Sequence, residues 1–291
     1  MTIAVAALLP ALAIGAEPAQ PGPQVGDAYV ITRDRETSQQ SNDGSASSST
    51  DRDSLTERVI AVRDAGLELE YDLPQNAGAG NRASSWQFPV RVFKPLRGPL
   101  KLLNGAELEA RVDGWLKTNG MTRAACGHWI VTWNSFRIEC DPQSVMKSIA
   151  AFDLTPDDLR DGAQYRDPKA LRPAPLTRTK GGPDGATFTV QMAIDPAGVR
   201  RERADADIAG AELRQQSLTL EAALRARAAE AISGTITITF ETDATGVVQR
   251  RTRATTLEIK GPGPRLERQT VKDTMMRRRV TRPAPDWSRT A

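Results

Sequence analysis

The chain has 291 residues, 39% of them hydrophobic and 26% charged, enough to bury a full core and too apolar for a disordered protein. Its 39 basic and 36 acidic residues leave a formal net charge of +3, so nothing in the charge demands a specific nucleic-acid partner. Aromatic content is only 5%, so the core must rest on Val, Ile, Leu and Ala, with the five tryptophans as local anchors.

Thr2 to Ala16 is uncharged and mostly apolar, is broken by Pro10, and ends Ala13-Ile14-Gly15-Ala16 before Glu17-Pro18. This is the pattern of a signal-peptide apolar region and cleavage site, making residues 1–16 the leader and the mature chain periplasmic or secreted. A spanning helix needs about 20 apolar residues, so no transmembrane segment is expected in the mature chain. No Lys or Arg precedes the stretch, which leaves open a start codon placed too far downstream, or a buried N-terminal strand.

Residues 25–172 read as an N-terminal β-meander with one helix and a hairpin. A strand opens at Val25, and a polar Ser/Asp/Gly tract from Ser38 to Asp53 is expected to be a mobile hairpin tip. Ser54 to Val62 returns as a strand, and Leu67, Leu69, Tyr71 and Leu73 then alternate against acids, the signature of a strand with one wet face. Trp86 to Phe93 follows, where Pro89 argues for a sheet edge. The next element is a helix, capped by Asn104 with Glu107 three residues on and ended by Asn119-Gly120, with Leu108, Val112, Trp115 and Leu116 at helical spacing. Trp129, Val131 and Trp133 and then Phe136, Ile138 and Cys140 alternate around Asn134-Ser135 as a hairpin. Asp141-Pro142 starts a short helix, and Thr155-Pro156-Asp157-Asp158 repeats that device.

Pro173, Pro175 and the run Lys180 to Gly185 mark a linker over residues 173–185. Residues 186–282 form the second half, joined to the first by this linker or by one continuous sheet. Phe188, Val190, Met192 and Ile194 alternate, a helix covers Leu218 to Ala231, and Thr235–Thr242, Val247–Ile259 and Arg265–Arg282 form a second meander. The fold class is α+β, predominantly antiparallel β-meanders with a few helices packed on one sheet face.

Ile232-Ser233-Gly234-Thr235-Ile236-Thr237-Ile238-Thr239-Phe240-Glu241-Thr242, with Gly246 at the turn, resembles secreted bacterial proteins of unknown function. Some of these are expected to have a lipoprotein-carrier-like fold, a curved antiparallel sheet holding helices in its concave face. The resemblance covers the outer thirds of the chain through strand pattern and carries no functional residue.

Cys126 and Cys140 bracket the Trp129 hairpin, and a disulfide across its base suits an exported chain. A two-residue turn at Asn134-Ser135 would not set them opposite one another, so a bulge or frayed base is required. Two buried thiols, or a metal pair with His128, are the alternatives; no CxxC spacing supports the metal, and no metal site or cofactor is expected. His128 is the sole histidine, so a hydrolase would need it together with unidentified carboxylates, whereas a half-buried hairpin histidine is the simpler reading. Asp153, Asp157, Asp158 and Asp161 fit helix starts better than an acid/base cluster, and Asp205 and Asp207 fit a charged linker better than a metal-binding DxD. Arg277-Arg278-Arg279 with Arg282 is either a solvated strand end or a patch for an anionic polymer or membrane. No GxSxG, HExxH, GxxxxGK[ST] or GxGxxG occurs. The expected role is therefore non-catalytic: binding an apolar ligand, a lipid or an envelope protein partner between the sheet and the first helix. Leu108, Val112 and Trp115 are the candidate ligand-facing residues.

Overall fold

A computed structural model describes residues 22–131 and 135–280. Residues 1–16, expected to be a leader, and Trp133, Asn134 and Arg282 lie outside them. The strands are β1 (Ala28–Ser41), β2 (Ala46–Arg63), β3 (Gly66–Asp72), β4 (Val90–Pro95) and β5 (Lys101–Leu102), then the short β6 (Trp129–Val131), β7 (Ser135–Arg137), β8 (Gln164–Tyr165) and β9 (Ala174–Pro175). They continue as β10 (Thr177–Gly182), β11 (Gly185–Ala193), β12 (Ala231–Thr242), β13 (Val248–Lys260) and β14 (Leu266–Arg279). Helices are α1 (Ala79–Ser84), α2 (Gly105–Thr118), α3 (Val145–Ala150), α4 (Pro196–Leu213) and α5 (Leu220–Ala226).

Ten of the strands make one antiparallel sheet in the order β10-β11-β12-β13-β14-β1-β2-β3-β4-β5. The first and last long strands of the chain pair from Tyr29↔Arg279 to Ser41↔Glu267, so the two meanders meet at the centre of this sheet. The stretch 173–185 carries β9, β10 and the turn into β11.

Period-two alternation decides which face is buried. Phe188, Val190 and Met192 on β11 and Ile232, Ile236, Ile238 and Phe240 on β12 are buried on one flank; Leu55, Val59, Leu69, Tyr71, Val90 and Val92 are buried on the other. Leu108, Val112 and Leu116 of α2, with Val145 and Ile149 of α3, join both flanks in one continuous core. At Gly234 a Cβ would lie 2.2 Å from the Thr256 carbonyl oxygen and 2.9 Å from Ile194 Cδ1, so only glycine fits there.

Several expected local features are corrected. Ser38 to Asp53 is not a loose tip: β1 runs to Ser41 and β2 begins at Ala46, because β14 and β2 pair the β1 backbone on both sides whatever the side chains are. Asn104 makes no side-chain cap on α2. It is 6% exposed and turns instead toward β4, its Oδ1 accepting from Arg91 N at 2.9 Å and its Nδ2 donating to Glu107 at 3.1 Å. Thr155 to Asp158 forms no helical turn. Asp205 and Asp207 lie within α4, an 18-residue helix and not a linker. Asp195 caps it by accepting from Ala197 N, with Pro196 at the first helical position, the same device that starts the helix at Asp141-Pro142. Pro89 precedes β4, which pairs with both β3 and β5 and so is not an edge strand.

Cys126 and Cys140 are disulfide-bonded with Cα atoms 5.7 Å apart. Trp129 pairs with Arg137 and Val131 with Ser135, and the base of the hairpin is bulged as expected, Gly127 with a φ of 80° and His128 both opposing Ile138. Gly127 N and Ile138 N extend that ladder at 2.8 and 2.9 Å. A bond closing a loop of 14 residues stabilises by about 3 kcal/mol in the chain-entropy model. Urea unfolding with and without reductant should show that loss; a midpoint unmoved by reduction would assign the bond no stabilising role.

Candidate functional site

The centre of the inner sheet face is not apolar. Between the two hydrophobic flanks, β1, β14, β13 and β2 carry ion pairs inward. Arg33 Nε donates to Asp273 at 2.8 Å. Arg277 donates to Glu57 at 2.6 Å, and its guanidinium lies 3.5 Å from the centre of the Tyr29 ring. Tyr71 OH donates to the other oxygen of Glu57 at 2.7 Å. Burial, followed by the Glu57 charge, pushes the Tyr71 hydroxyl well above its ordinary pKa, which keeps it a donor at neutral pH. Arg279 pairs with Asp27 at the end of this row.

A strap, residues 152–176, crosses the row. Asp153 accepts from Lys94 of β4 at 3.0 Å, Tyr165 packs edge-on against Phe240 of β12 at 5.5 Å, and Asp167 accepts from Arg253 of β13 at 2.8 and 3.1 Å. Ala170 bridges Ile194, and Lys169 pairs with Glu202 of α4 at 2.6 Å. Clefts open on either side of the strap.

The larger cleft, about 810 Å³, lies at the Asp27 and Arg279 end. Its apolar lining is Ile31, Leu67, Leu69, Phe152, Leu154 and Val247. Its cations are all held: Arg277 by Glu57, Arg279 by Asp27 and Lys94 by Asp153. Asp243 is occupied by Thr245, Gln249 and the Val247 backbone N–H; burial raises its pKa, but these hydrogen bonds outweigh burial and leave it low. The arrangement is amphipathic, with each cation paired and the Asp243 carboxylate held by neutral donors, which suits an apolar body with an uncharged or zwitterionic head.

Of the residues singled out from the sequence, Asp153, Arg277 and Arg279 line this cleft, and the candidate ligand-facing residues fall elsewhere. Leu108 and Val112 are 0% exposed in the core, and Trp115 packs against it half-buried; none of them lines either cleft. Trp86 is buried in the core, while Trp129 donates to Glu212 of α4 at 2.9 Å. His128 is exposed and held through its backbone to Ala125 and Ile138. Among the described residues no group of His, Cys, Asp or Glu is arranged to hold a metal. Asp207 is taken by Arg227 through two bonds of 2.6 Å. The Arg277-Arg278-Arg279 run is split by alternation, with Arg277 and Arg279 paired to inner carboxylates. Tyr29, Glu57, Lys94 and Phe152 are the site residues that sequence reasoning missed; for the first three, on strands, the signal was alternation in phase with buried neighbours, and Phe152 lies in the turn after α3.

Among the described residues no helix is long and apolar enough to cross a membrane. No family model matches the chain, and no curated protein matches it. Among solved structures, one that matches is of lipovitellin, described as "lipid-protein interactions in lipovitellin", at 7% identity and a TM-score of 0.41. That alignment covers 90% of this chain and 26% of the other, so this chain spans about a quarter of that chain's length. A likeness this loose carries no ligand, partner or residue across.

Proposed function

We propose that this protein is an exported, non-catalytic binder that holds an amphiphile with an apolar body in the cleft at the Asp27 and Arg279 end of the sheet. The observation that supports this is the cleft itself: about 810 Å³, apolar on one side, with every cation on the other side paired to a carboxylate of the fold. Clefts of about 300–1,000 Å³ lined mainly by apolar groups with few polar ones are the usual hosts of small apolar ligands. The disulfide supports an oxidising compartment, and the sheet with helices on one face agrees with a carrier-like design. Leu108 and Val112 hold α2 in the core, so charges placed there would report on folding and not on the ligand.

The experiment is titration with an environment-sensitive apolar dye, followed by displacement with uncharged, zwitterionic and anionic amphiphiles. Val247 is 43% exposed at the rim and Leu67 is half-buried in the wall, so Val247→Glu and Leu67→Trp alter the cleft with little effect on the core. Each is expected to weaken dye binding about tenfold, since one buried apolar side chain is worth about 1.5 kcal/mol or more. Wild-type protein that binds no dye, or variants that bind it as well as wild type, would remove this reading.

A further inference from the structure

Within the ten-stranded order, β2 has an open edge. It pairs with β1 from Ala28↔Arg58 to Gln40↔Ala46, but with β3 only from Thr56 onward. β3 ends at Asp72, and Pro74 then opens a turn, its carbonyl accepting from Ala77 N at 2.9 Å. Among the described residues, Ala46 to Ser54 therefore have a strand on one side only, and Ala46 to Asp53 are exposed. We propose that this edge pairs with the same edge of a second copy, antiparallel about a two-fold axis at Thr50, so that the two sheets continue into one another. This surface is independent of the amphiphile cleft.

The main chain decides which groups the edge offers. Val59 N–H donates to the Asp27 carbonyl at 2.9 Å and the Ser45 carbonyl accepts from Ser41 N at 2.9 Å, so odd-numbered residues of β2 turn their N–H and C=O toward β1. The register between these points is unbroken, and Ala46, Ser48, Thr50, Arg52 and Ser54 turn theirs to the open side. Such a row of unpaired groups is a template for another strand. Centred on Thr50, the mate closes about ten main-chain hydrogen bonds, pairing Thr50 with its copy, Ser48 with Arg52 and Ala46 with Ser54.

The side chains select that centre. A two-fold axis normal to the sheet keeps inner residues opposite inner residues, and at Thr50 every charge falls opposite a hydroxyl: Asp51 faces Ser49 of the partner subunit, Asp53 faces Ser47 of the partner subunit and Arg52 faces Ser48 of the partner subunit. Asp51 and Asp53 meet these serines in the closer, non-hydrogen-bonded pairs, where a hydroxyl can donate to a carboxylate. Centring one residue later sets Asp51 against its own copy; two later sets Arg52 against its copy and Asp51 against Asp53. Like charges directly opposite are destabilising. At the Thr50 centre the two Asp51 side chains lie only on a diagonal of about 7–8 Å, and Arg35 stands directly cross-strand from Asp51 within each copy. The other edges of the sheet offer no such match. β10 presents Arg178 and Lys180 with the Arg178 N–H already donated to Asp161 at 2.8 Å, and β5 is two residues long.

A seam of main-chain bonds without an apolar core belongs to the weak class of interfaces, so the dissociation constant is expected between about 1 μM and 1 mM. Sedimentation equilibrium over that range is the test. Thr50→Pro removes an N–H that faces the open side and not β1, which a strand tolerates there; the melting temperature should hold while the dissociation constant rises about tenfold or more. The register has its own readout. Ser49→Asp sets a carboxylate opposite Asp51 of the partner subunit, twice by symmetry, and is expected to weaken the dimer about threefold or more, whereas Ser49→Lys sets an ammonium there and is expected to tighten it by a similar factor. Ser49 is exposed and lies opposite Thr37 in its own chain, so neither variant should disturb the monomer. Wild type that stays monomeric up to about 1 mM, or a dimer that Thr50→Pro leaves intact, would overturn the proposal. Ser49→Asp and Ser49→Lys moving the dissociation constant in the same direction would overturn the Thr50 register. Dye binding reports the cleft at the Asp27 end and should be the same in all three variants, so failure of the dimer and failure of the amphiphile site are told apart.

Discussion

Replacing Arg277 with methionine is expected to destabilise the protein at neutral pH by about 3–5 kcal/mol, the cost of removing one partner from a buried ion pair. The magnitude follows from what is left behind. Glu57 is 6% exposed and receives Arg277 on one oxygen and Tyr71 on the other. Without the guanidinium, a carboxylate remains in the wall of the cleft beside Ile31 and Leu69 with a neutral phenol as its side-chain donor. Methionine keeps an apolar stem of similar length, and the guanidinium's contact with the Tyr29 ring is lost together with the charge. Urea unfolding of Arg277→Met measures the combined loss. The triple replacement Arg277→Met, Glu57→Leu, Tyr71→Phe is expected to return close to wild-type stability, because replacing all members of a buried network by apolar groups of similar volume avoids the stranded charge. If the triple variant is no more stable than the single one, the cost arises from packing and not from Glu57. The same triple variant should bind the apolar dye more tightly, since it replaces the Arg277–Glu57 pair in the cleft lining by apolar groups.

That network shows why the fold was more legible than the site. Alternating Phe188, Val190, Met192 and Ile194, or Leu67, Leu69 and Tyr71, states which face of a strand is buried, and the sheet follows from such patterns. On β14 the inward positions read Val271, Asp273, Met275, Arg277 and Arg279, and on β2 Glu57 falls between Leu55 and Val59. By pattern alone these charges look like solvent exposure. They are inward because their partners arrive from distant segments: Asp273 meets Arg33 across 240 residues and Arg277 meets Glu57 across 220. Pairing of β1 with β14 makes those meetings, and no local signal states it. The disulfide was legible because both cysteines belong to one hairpin. The α4 helix had a readable start at Asp195-Pro196, but with Val199, Ala204 and Ala211 as its buried residues it shows only a thin apolar stripe. The candidate ligand contacts on α2 failed to reach a cleft for the opposite reason: Leu108 and Val112 are apolar at helical spacing because they are core.

Replacing Arg253 with leucine is expected to cost a similar 3–5 kcal/mol at neutral pH and to do so by loosening the strap. Asp167 is 4% exposed, and apart from the Lys169 backbone N–H at 2.8 Å its hydrogen-bond donors are the two guanidinium nitrogens of Arg253. Burial raises the pKa of this carboxyl, but the Arg253 hydrogen bonds and charge outweigh burial and hold it below its ordinary value of 3.8. A carboxyl whose folded pKa is depressed adds stability above its unfolded pKa, and that stability is lost as pH falls through the folded value. In Arg253→Leu burial, the largest of these influences, is opposed only by the Lys169 N–H and the Arg251 charge, so the folded pKa is expected to rise above the unfolded one and the sign to reverse. The variant's penalty then applies above that raised value and disappears in acid as Asp167 takes up a proton. The stability difference between the two proteins should therefore be full at pH 7 and shrink as pH falls toward about 4, the range of an unperturbed aspartate. Arg253→Lys, which keeps the charge without the planar fork, should fall between the two. Since the strap separates the two clefts, amide exchange over residues 164–171 should quicken in the leucine variant while the β1 and β14 amides stay protected. A stability difference that is the same at pH 4 and pH 7 would show that the stranded Asp167 charge is not its source.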